Sequence, residues 1–233
     1  MKAAVIIPVY NHGGRIAEVV RQALQLALPV IVVDDGSTDI TPDCLHTIAG
    51  ITVLRHPVNL GKGAAIRTGF AAAVERGCDW AITIDGDGQH RPEDARALLA
   101  KAAEGGRKIV VGCRQGMAGR NVPWTSRFGR GFSNFWVWVS GGPLIRDSQS
   151  GFRLYPLPES LQLGVRAARY QFEVEILVRA RRKGIAIVEA PVEVVYQPKG
   201  QRISHFRPWL DFWRNSVTFS RLIFSRIFGI FRR

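Results

Sequence analysis

Asp85, Gly86 and Asp87 place two carboxylates one residue apart on a glycine-loosened turn just after the apolar run Trp80 to Ile84. Oxygens so spaced can converge on one hard cation, Mg2+ or Mn2+, that keeps open coordination positions for a diphosphate. A cation held there would neutralise a pyrophosphate and stabilise it as a leaving group. A second acidic cluster, Asp34-Asp35-Gly36-Ser37, follows the apolar run Val30 to Val33. Either cluster alone also suits an ordinary Asp/Gly turn. It is their common place, each just past a strand-like run, that suggests a site.

Those runs belong to a rhythm. Ala3 to Val9, Val30 to Val33, Ile51 to Leu54, Trp80 to Ile84 and Ile109 to Val111 are short and mostly β-branched, as strands buried in a parallel sheet are. Helical patterns lie between them: Ile16 to Leu28, a start at Thr41-Pro42, Ala64 to Arg76, and a start at Arg91-Pro92-Glu93-Asp94. The alternation predicts an α/β fold with a doubly wound, mostly parallel sheet, in which ligands bind beyond the carboxyl ends of the strands. Later come an aromatic segment Phe132 to Val139, a helix over Phe172 to Lys183 and a strand over Ile185 to Val195.

The 233 residues fit one large α/β domain, or one domain with an appendage, and 46% hydrophobic with 22% charged residues excludes wholesale disorder, collagen and coiled coil. No secretory signal is expected, because Pro8, Asn11, His12 and Arg15 break the first apolar run. No uncharged stretch is long and unbroken enough to span a bilayer. Cys44, Cys78 and Cys113 form no CxxC pair, which points to reduced cytosolic thiols. The net charge of +13 is uneven: residues 1–117 carry +1 and residues 118–233 carry +12. The second half is therefore expected to meet an anionic partner: nucleic acid, acidic lipid headgroups or a phosphorylated substrate.

Five motifs in order narrow the choice: Ile7-Pro8-Val9-Tyr10-Asn11, Val33-Asp34-Asp35-Gly36-Ser37-Thr38-Asp39, Asn59-Leu60-Gly61-Lys62-Gly63-Ala64, Asp85-Gly86-Asp87-Gly88-Gln89-His90 and Asp147-Ser148-Gln149-Ser150-Gly151-Phe152-Arg153. Together they resemble the family 2 glycosyltransferases, and within them the dolichyl- and polyprenyl-phosphate sugar synthases, over about residues 3–205. The resemblance implies the glycosyltransferase A fold, a nucleotide-sugar donor, a divalent metal and an inverting transfer. It places Pro8, Tyr10 and Asp35 around the nucleoside, with Asn11 among the donor-binding positions and Gly61 and Lys62 beside the donor. It gives Asp85, Asp87 and Gln89 to the metal and diphosphate, and Arg114, Arg127 and Arg130 to phosphates. Two departures stand out: His12 where many members carry Glu, and Gly200-Gln201-Arg202-Ile203-Ser204-His205 where the polyprenyl-phosphate branch often has Gly-x-Ser-Lys.

The acceptor bears on the mechanism. A sugar hydroxyl needs a general base, whereas a phosphate monoester, with a second pKa of about 6, is already anionic at neutral pH. Asp147 and Glu173 are the candidate bases, and either could instead orient an arginine or cap a helix. A polyprenyl phosphate also confines its enzyme to a membrane surface. At 100° per residue Arg207, Arg214, Arg221 and Arg232 fall within about 40° of one another, with Trp209, Phe212, Trp213, Phe219, Phe224 and Ile227 opposite. That segment suits an interfacial helix with an arginine ridge, or equally a helix packed on its own domain. The expected organisation is a catalytic domain over 1–205 and an amphipathic tail over 206–233.

Other readings fare worse. A dinucleotide-binding oxidoreductase would need a third glycine where Ile66 stands, and a P-loop would need Ser or Thr where Gly63 follows Lys62. A non-enzymatic nucleic-acid binder suits the basic tail, but Asp34, Asp35, Asp85 and Asp87 would repel phosphate without a metal. A family 2 enzyme acting on another lipid, aryl or saccharide acceptor is the remaining alternative. The expectation is a metal-dependent hexosyltransferase, peripheral on the inner face of the cytoplasmic membrane, taking a UDP- or GDP-sugar and a polyprenyl phosphate and binding no nucleic acid.

Overall fold

A computed structural model describes residues 1–115, 124–193 and 208–229. The elements run β1 (Ala3–Val9), α1 (Gly13–Leu24), β2 (Val30–Asp34), α2 (Thr41–His46), β3 (Ile51–Arg55), α3 (Lys62–Glu75), β4 (Trp80–Thr83), a 3-10 turn (Pro92–Asp94), α4 (Ala95–Ala103), β5 (Lys108–Arg114), α5 (Trp124–Val139), β6 (Arg153–Pro156), a second 3-10 turn (Leu161–Leu163), α6 (Phe172–Arg182), β7 (Ala186–Val192) and α7 (Pro208–Ile227). The seven strands form one sheet in the order β3-β2-β1-β4-β6-β5-β7. β1 pairs in parallel with β2 and β4, β2 with β3, and β5 with β7; β6 alone runs antiparallel, wedged between β4 and β5.

All seven residues of β1 are buried, and strand alternation shares them between two cores. Val5, Ile7 and Val9 pack with Ile16 and Val20 of α1, Leu45 of α2 and Leu98 of α4. Ala4 and Ile6 face the other side, with Ile66 and Phe70 of α3 and Ile176 and Leu177 of α6. This is the doubly wound, mostly parallel sheet that the apolar runs predict. β6 is the strand they do not announce, and β7 spans Ala186–Val192, the expected Val194 and Val195 lying outside the described residues.

A third layer lies outside α6. Val174 and Val178 on its outer face pack with Val137 of α5 and with Phe219 and Leu222 of α7. Arg182 fastens the three helices by donating to Ser140 O (2.7 Å), Ser225 Oγ (2.8 Å) and the Leu222 carbonyl. Arg226 donates to Val139 O at 2.8 Å. The tail helix therefore packs on the domain, and of the arginines expected on its ridge Arg221 is drawn partly inward. Arg221 turns into the seam to pair with the fully buried Glu175, which needs cationic partners. Phe212, Trp213, Phe224, Ile227 and Phe228 are left exposed, as are Phe128, Phe135 and Trp138 of α5. Arg207 and Arg232 lie outside the described residues, as does the departure at 200–205. Among the described residues no helix is long and apolar enough to cross a membrane.

Candidate active site

Because β1, β2 and β4 are parallel, the turns after them, which carry Tyr10 and Asn11, Asp35 and Ser37, and Asp85 and Asp87, emerge at one edge of the sheet. The antiparallel β6 begins at that edge, with Arg153 opposite Thr83, and so delivers the segment before it, 147–152, to the same place. Thr83 Oγ1 donates to Gly151 O at 2.6 Å and pins that segment to the end of β4.

At the centre of this edge Lys62, the first residue of α3, places Nζ 2.6 Å from Asp85 Oδ1 and also donates to Glu173 Oε1 in the first turn of α6. A Cβ on Gly151 would fall on Asp85 Oδ2 and come within 2.6 Å of Lys62 Nζ, so only glycine lets the loop approach this closely. Burial disfavours both charges, but the two carboxylates more than offset it for Lys62, whose pKa is raised. Asp85 is lowered in turn: burial works against its ionisation, and Lys62 and its other cationic neighbours outweigh that.

Asp87 accepts from the Gln89 N–H (3.0 Å) and from Gln89 Nε2 (2.8 Å). Burial and then the charge of Asp85 push its carboxyl above the usual range, while His12 acts on it in the opposite sense. Two half-buried carboxylates whose charges oppose each other form a donor set that a hard cation would relieve, so these residues fit Mg2+ or Mn2+. Gln89 turns its amide nitrogen to Asp87, which leaves Oε1 as its only ligating end. Among the described residues no three His, Cys, Asp or Glu side chains cluster to hold a metal, so a cation here would draw its other ligands from elsewhere, a diphosphate included. His90 stacks on Phe152 with ring centroids 5.2 Å apart, and burial lowers its pKa to about 4, which keeps it neutral at pH 7.

Arg114 and Asp147 form a two-pronged pair, Nε to Oδ2 at 2.6 Å and Nη2 to Oδ1 at 2.8 Å. Asp147 is fully buried, and its N–H donates to Glu189 Oε1 at 3.2 Å. Arg153, also fully buried, donates to Ser150 O (2.6 Å), Ser148 O (2.7 Å) and Glu173 O (2.7 Å). One guanidinium thus ties the 147–151 segment to the start of α6. On α5, Ser133 bonds Ser148 (2.8 Å), and Gln149 Nε2 donates to Gly129 O (3.3 Å) beside the half-buried Arg130. The side chain of Arg127 lies outside the described residues.

On the donor side Asp35 accepts from Gly61 N on Oδ2 (2.7 Å) and from Leu60 N on Oδ1 (2.9 Å). His56 Nδ1 lies 2.7 Å from Oδ1 and its Nε2 2.9 Å from Thr68 Oγ1. The observed task of Asp35 is therefore to shape the turn into α3, and Gly61 takes φ 102 there. Asn11, at φ 52, accepts the Thr38 N–H on Oδ1 (2.8 Å) and donates its own N–H to Ser37 Oγ (3.0 Å), clasping the first two turns together. Pro8 is buried in β1, and Tyr10 is half-buried just beyond it. The structure thus brings Asp85, Asp87, Gln89, Lys62, Gly61, Asp35, Arg114 and Asp147 to one edge. Sequence reasoning gave no role to Arg153, which closes the last motif, nor to His56 and Glu175.

Residues 4–156 match the family described as glycosyl transferase family 2. The chain is 31% identical over 212 residues to the "UDP-N-acetylglucosamine--dolichyl-phosphate N-acetylglucosaminyltransferase" of Methanococcus voltae, covering 82% of this chain and 84% of that protein. It is 31% identical over 208 residues to the polyprenol monophosphomannose synthase of Mycolicibacterium smegmatis, covering 82% and 76%. In fold it is similar to the mannosyl-3-phosphoglycerate synthase of Rubrobacter xylanophilus, with a TM-score of 0.66 at 17% identity over 100% of this chain and 76% of that one. The ordered motifs, the sheet that gathers them at one edge and the extent of the match lead to one assignment: the chain belongs to glycosyl transferase family 2 and is a glycosyltransferase of the A fold.

Proposed function

We propose that this enzyme transfers a hexose, with inversion, from a UDP- or GDP-sugar to a polyprenyl phosphate, with Mg2+ or Mn2+ as cofactor. The observation that carries the acceptor is that both candidate bases are committed to cations, Asp147 to Arg114 and Glu173 to Lys62. A carboxylate so engaged is turned to its cation and not to an acceptor hydroxyl, and a phosphate monoester needs no base. The relatives named for dolichyl phosphate and for a polyprenol monophosphate sugar agree with that choice.

Asp85 and Asp87 would hold the cation, and the cation would supply charge neutralisation to the departing nucleoside diphosphate. Lys62 and Glu173 fix Asp85, and Arg153 fixes the segment that closes over it. Pro8, Tyr10 and Asn11 stand on the nucleoside side of the edge, with Asp35 behind them shaping the turn at Gly61. Arg114, Arg130 and Arg127 would meet the acceptor phosphate. The exposed aromatic residues of α5 and α7 and the +12 charge of residues 118–233 suit a seat on an anionic lipid surface, the inner face of the cytoplasmic membrane, with the 206–233 tail as its main element.

The test is a panel of UDP- and GDP-sugars with Mg2+ or Mn2+ and undecaprenyl phosphate in detergent, following nucleoside diphosphate and glycolipid together. Glycolipid from one donor establishes the reading. Nucleotide release without glycolipid moves the acceptor to another class, and loss of turnover in EDTA checks the metal.

A further inference from the structure

Glu175 is a fully buried carboxylate in the first turn of α6 that none of the roles above uses. Its Oε1 accepts from Arg179 Nε at 2.7 Å and from the Arg166 N–H at 3.2 Å. Its Oε2 accepts from the Ala167 N–H at 2.9 Å and from Arg221 Nη2 at 2.7 Å. The four donors come from α6 itself, from two successive backbone amides of the preceding loop, and from the tail helix α7. Removing one cation from such a node leaves a buried charge less well compensated, and the groups around it shift.

The loop held by Glu175 is the one against which the turn into α3 is packed. Ala168 O accepts from the Ala64 N–H at 3.0 Å, and Ala167 O accepts from Arg67 Nη1 at 2.7 Å. A Cβ on Gly61 would come within 2.5 Å of Ala168 O, and one on Gly63 within 2.6 Å of Phe172 Cβ and 2.8 Å of Ala167 O. Gly61 and Gly63 flank Lys62, the residue that grips Asp85. Every step from Arg221 to Asp85 is thus a hydrogen bond, an ion pair or a backbone contact too close for a side chain.

We propose that Arg221 of the tail helix is a positioning residue for donor binding: through Glu175 it holds the 166–168 backbone against the Gly61–Lys62 turn. The proposal rests on the reading that this turn lies beside the nucleotide-sugar. It makes α7 part of the scaffold of the site as well as a surface element.

The test uses the full chain, titrated calorimetrically with UDP and with GDP, alongside amide hydrogen exchange at Ala64 and Ala167. Arg221→Ala is expected to weaken whichever nucleotide the wild type binds by about three- to tenfold, and to speed exchange at both amides. Arg221→Lys should recover most of the affinity. Arg226→Ala, which loses a bond from the same helix to Val139 O but does not touch Glu175, should lower Tm and leave affinity and both amides unchanged. Arg221→Gln reads the same link should the alanine variant not fold. Wild-type affinity and protection in the Arg221 variants would overturn the proposal while the donor site stands. A wild type that binds neither nucleotide would overturn the donor-site reading first, and the proposal with it.

Discussion

Lys62 and Asp85 meet at 2.6 Å although one begins a helix and the other lies two residues past the end of a strand, and Glu173 also holds the ammonium. Asp85 is therefore aimed before any ligand arrives. Lys62→Met should lower kcat by about a hundredfold, the scale of a small misplacement at a reacting centre, with the circular dichroism spectrum unchanged. Lys62→Arg should recover part of the loss. Steady-state kinetics on the three proteins checks both expectations.

Gly151→Ala is a matching perturbation from the opposite side. Its methyl would displace Asp85 and Lys62 together, so kcat should fall about as far as in Lys62→Met. Combined, the two changes should cost little more than either alone, because both act on one carboxylate.

Asp87 carries a pH signature. Burial and the charge of Asp85 raise its carboxyl pKa in the folded state. A group raised on folding contributes stability that is full below its unfolded pKa and is lost as pH rises through its folded pKa. Ionised Asp87 therefore costs stability at neutral pH. Asp87→Asn should abolish transfer while raising Tm at pH 7.5 by about 2–4 °C. Calorimetry should show that gain shrink as pH falls through the folded-state pKa and disappear by about pH 3, where the wild-type carboxyl is protonated in both states.

Arg153 satisfies three buried carbonyls. Arg153→Met keeps much of the volume but strands Ser148 O, Ser150 O and Glu173 O, and should cost roughly 3 kcal/mol or more by urea denaturation. Activity should fall further than the folded fraction, because the 147–151 segment loses its anchor.

The exposed apolar surface gives a vesicle assay. Replacing Trp213, Phe224 and Phe228 together by Ser should reduce co-sedimentation with vesicles rich in anionic lipid by more than tenfold, since each residue forfeits a buried apolar side chain. Transfer to a short-chain, water-soluble acceptor phosphate should persist. High salt should weaken the wild type in the same assay through the basic half.

The sheet and the acidic pairs were legible because they rest on local pattern. β1 to β5 are apolar runs, and Asp85-Gly86-Asp87 sits where a parallel strand ends. β6 was hidden: it is four residues long, starts with a buried Arg and ends with Pro, and gains its place only from the strands on either side. α5 was read only as an aromatic segment from Phe132 onward and not as a helix, because Gly129 and Gly131 dilute its first turns. The grip of Glu173 on Lys62 spans 111 residues of sequence, and no spacing rule reaches that far. The tail was read correctly as amphipathic. The pairing of Arg221 with Glu175 was not foreseen, because helical angle alone cannot tell that a buried carboxylate waits beneath it.

The single reversed strand also governs when the site can exist. Trp80 to Thr83 pair with Arg153 to Pro156 across about seventy residues of chain, and Thr83 grips Gly151 over a separation of 68. Closing so long a loop is slow compared with pairing β1 to β2. A chain emerging from the ribosome can thus lay down its first four strands and present both acidic pairs while the segment that covers Asp85 is still being made. Until residue 156 has been made β4 remains an unpaired edge, and the site is complete only when Glu173 of α6 has followed to hold Lys62 and Arg153.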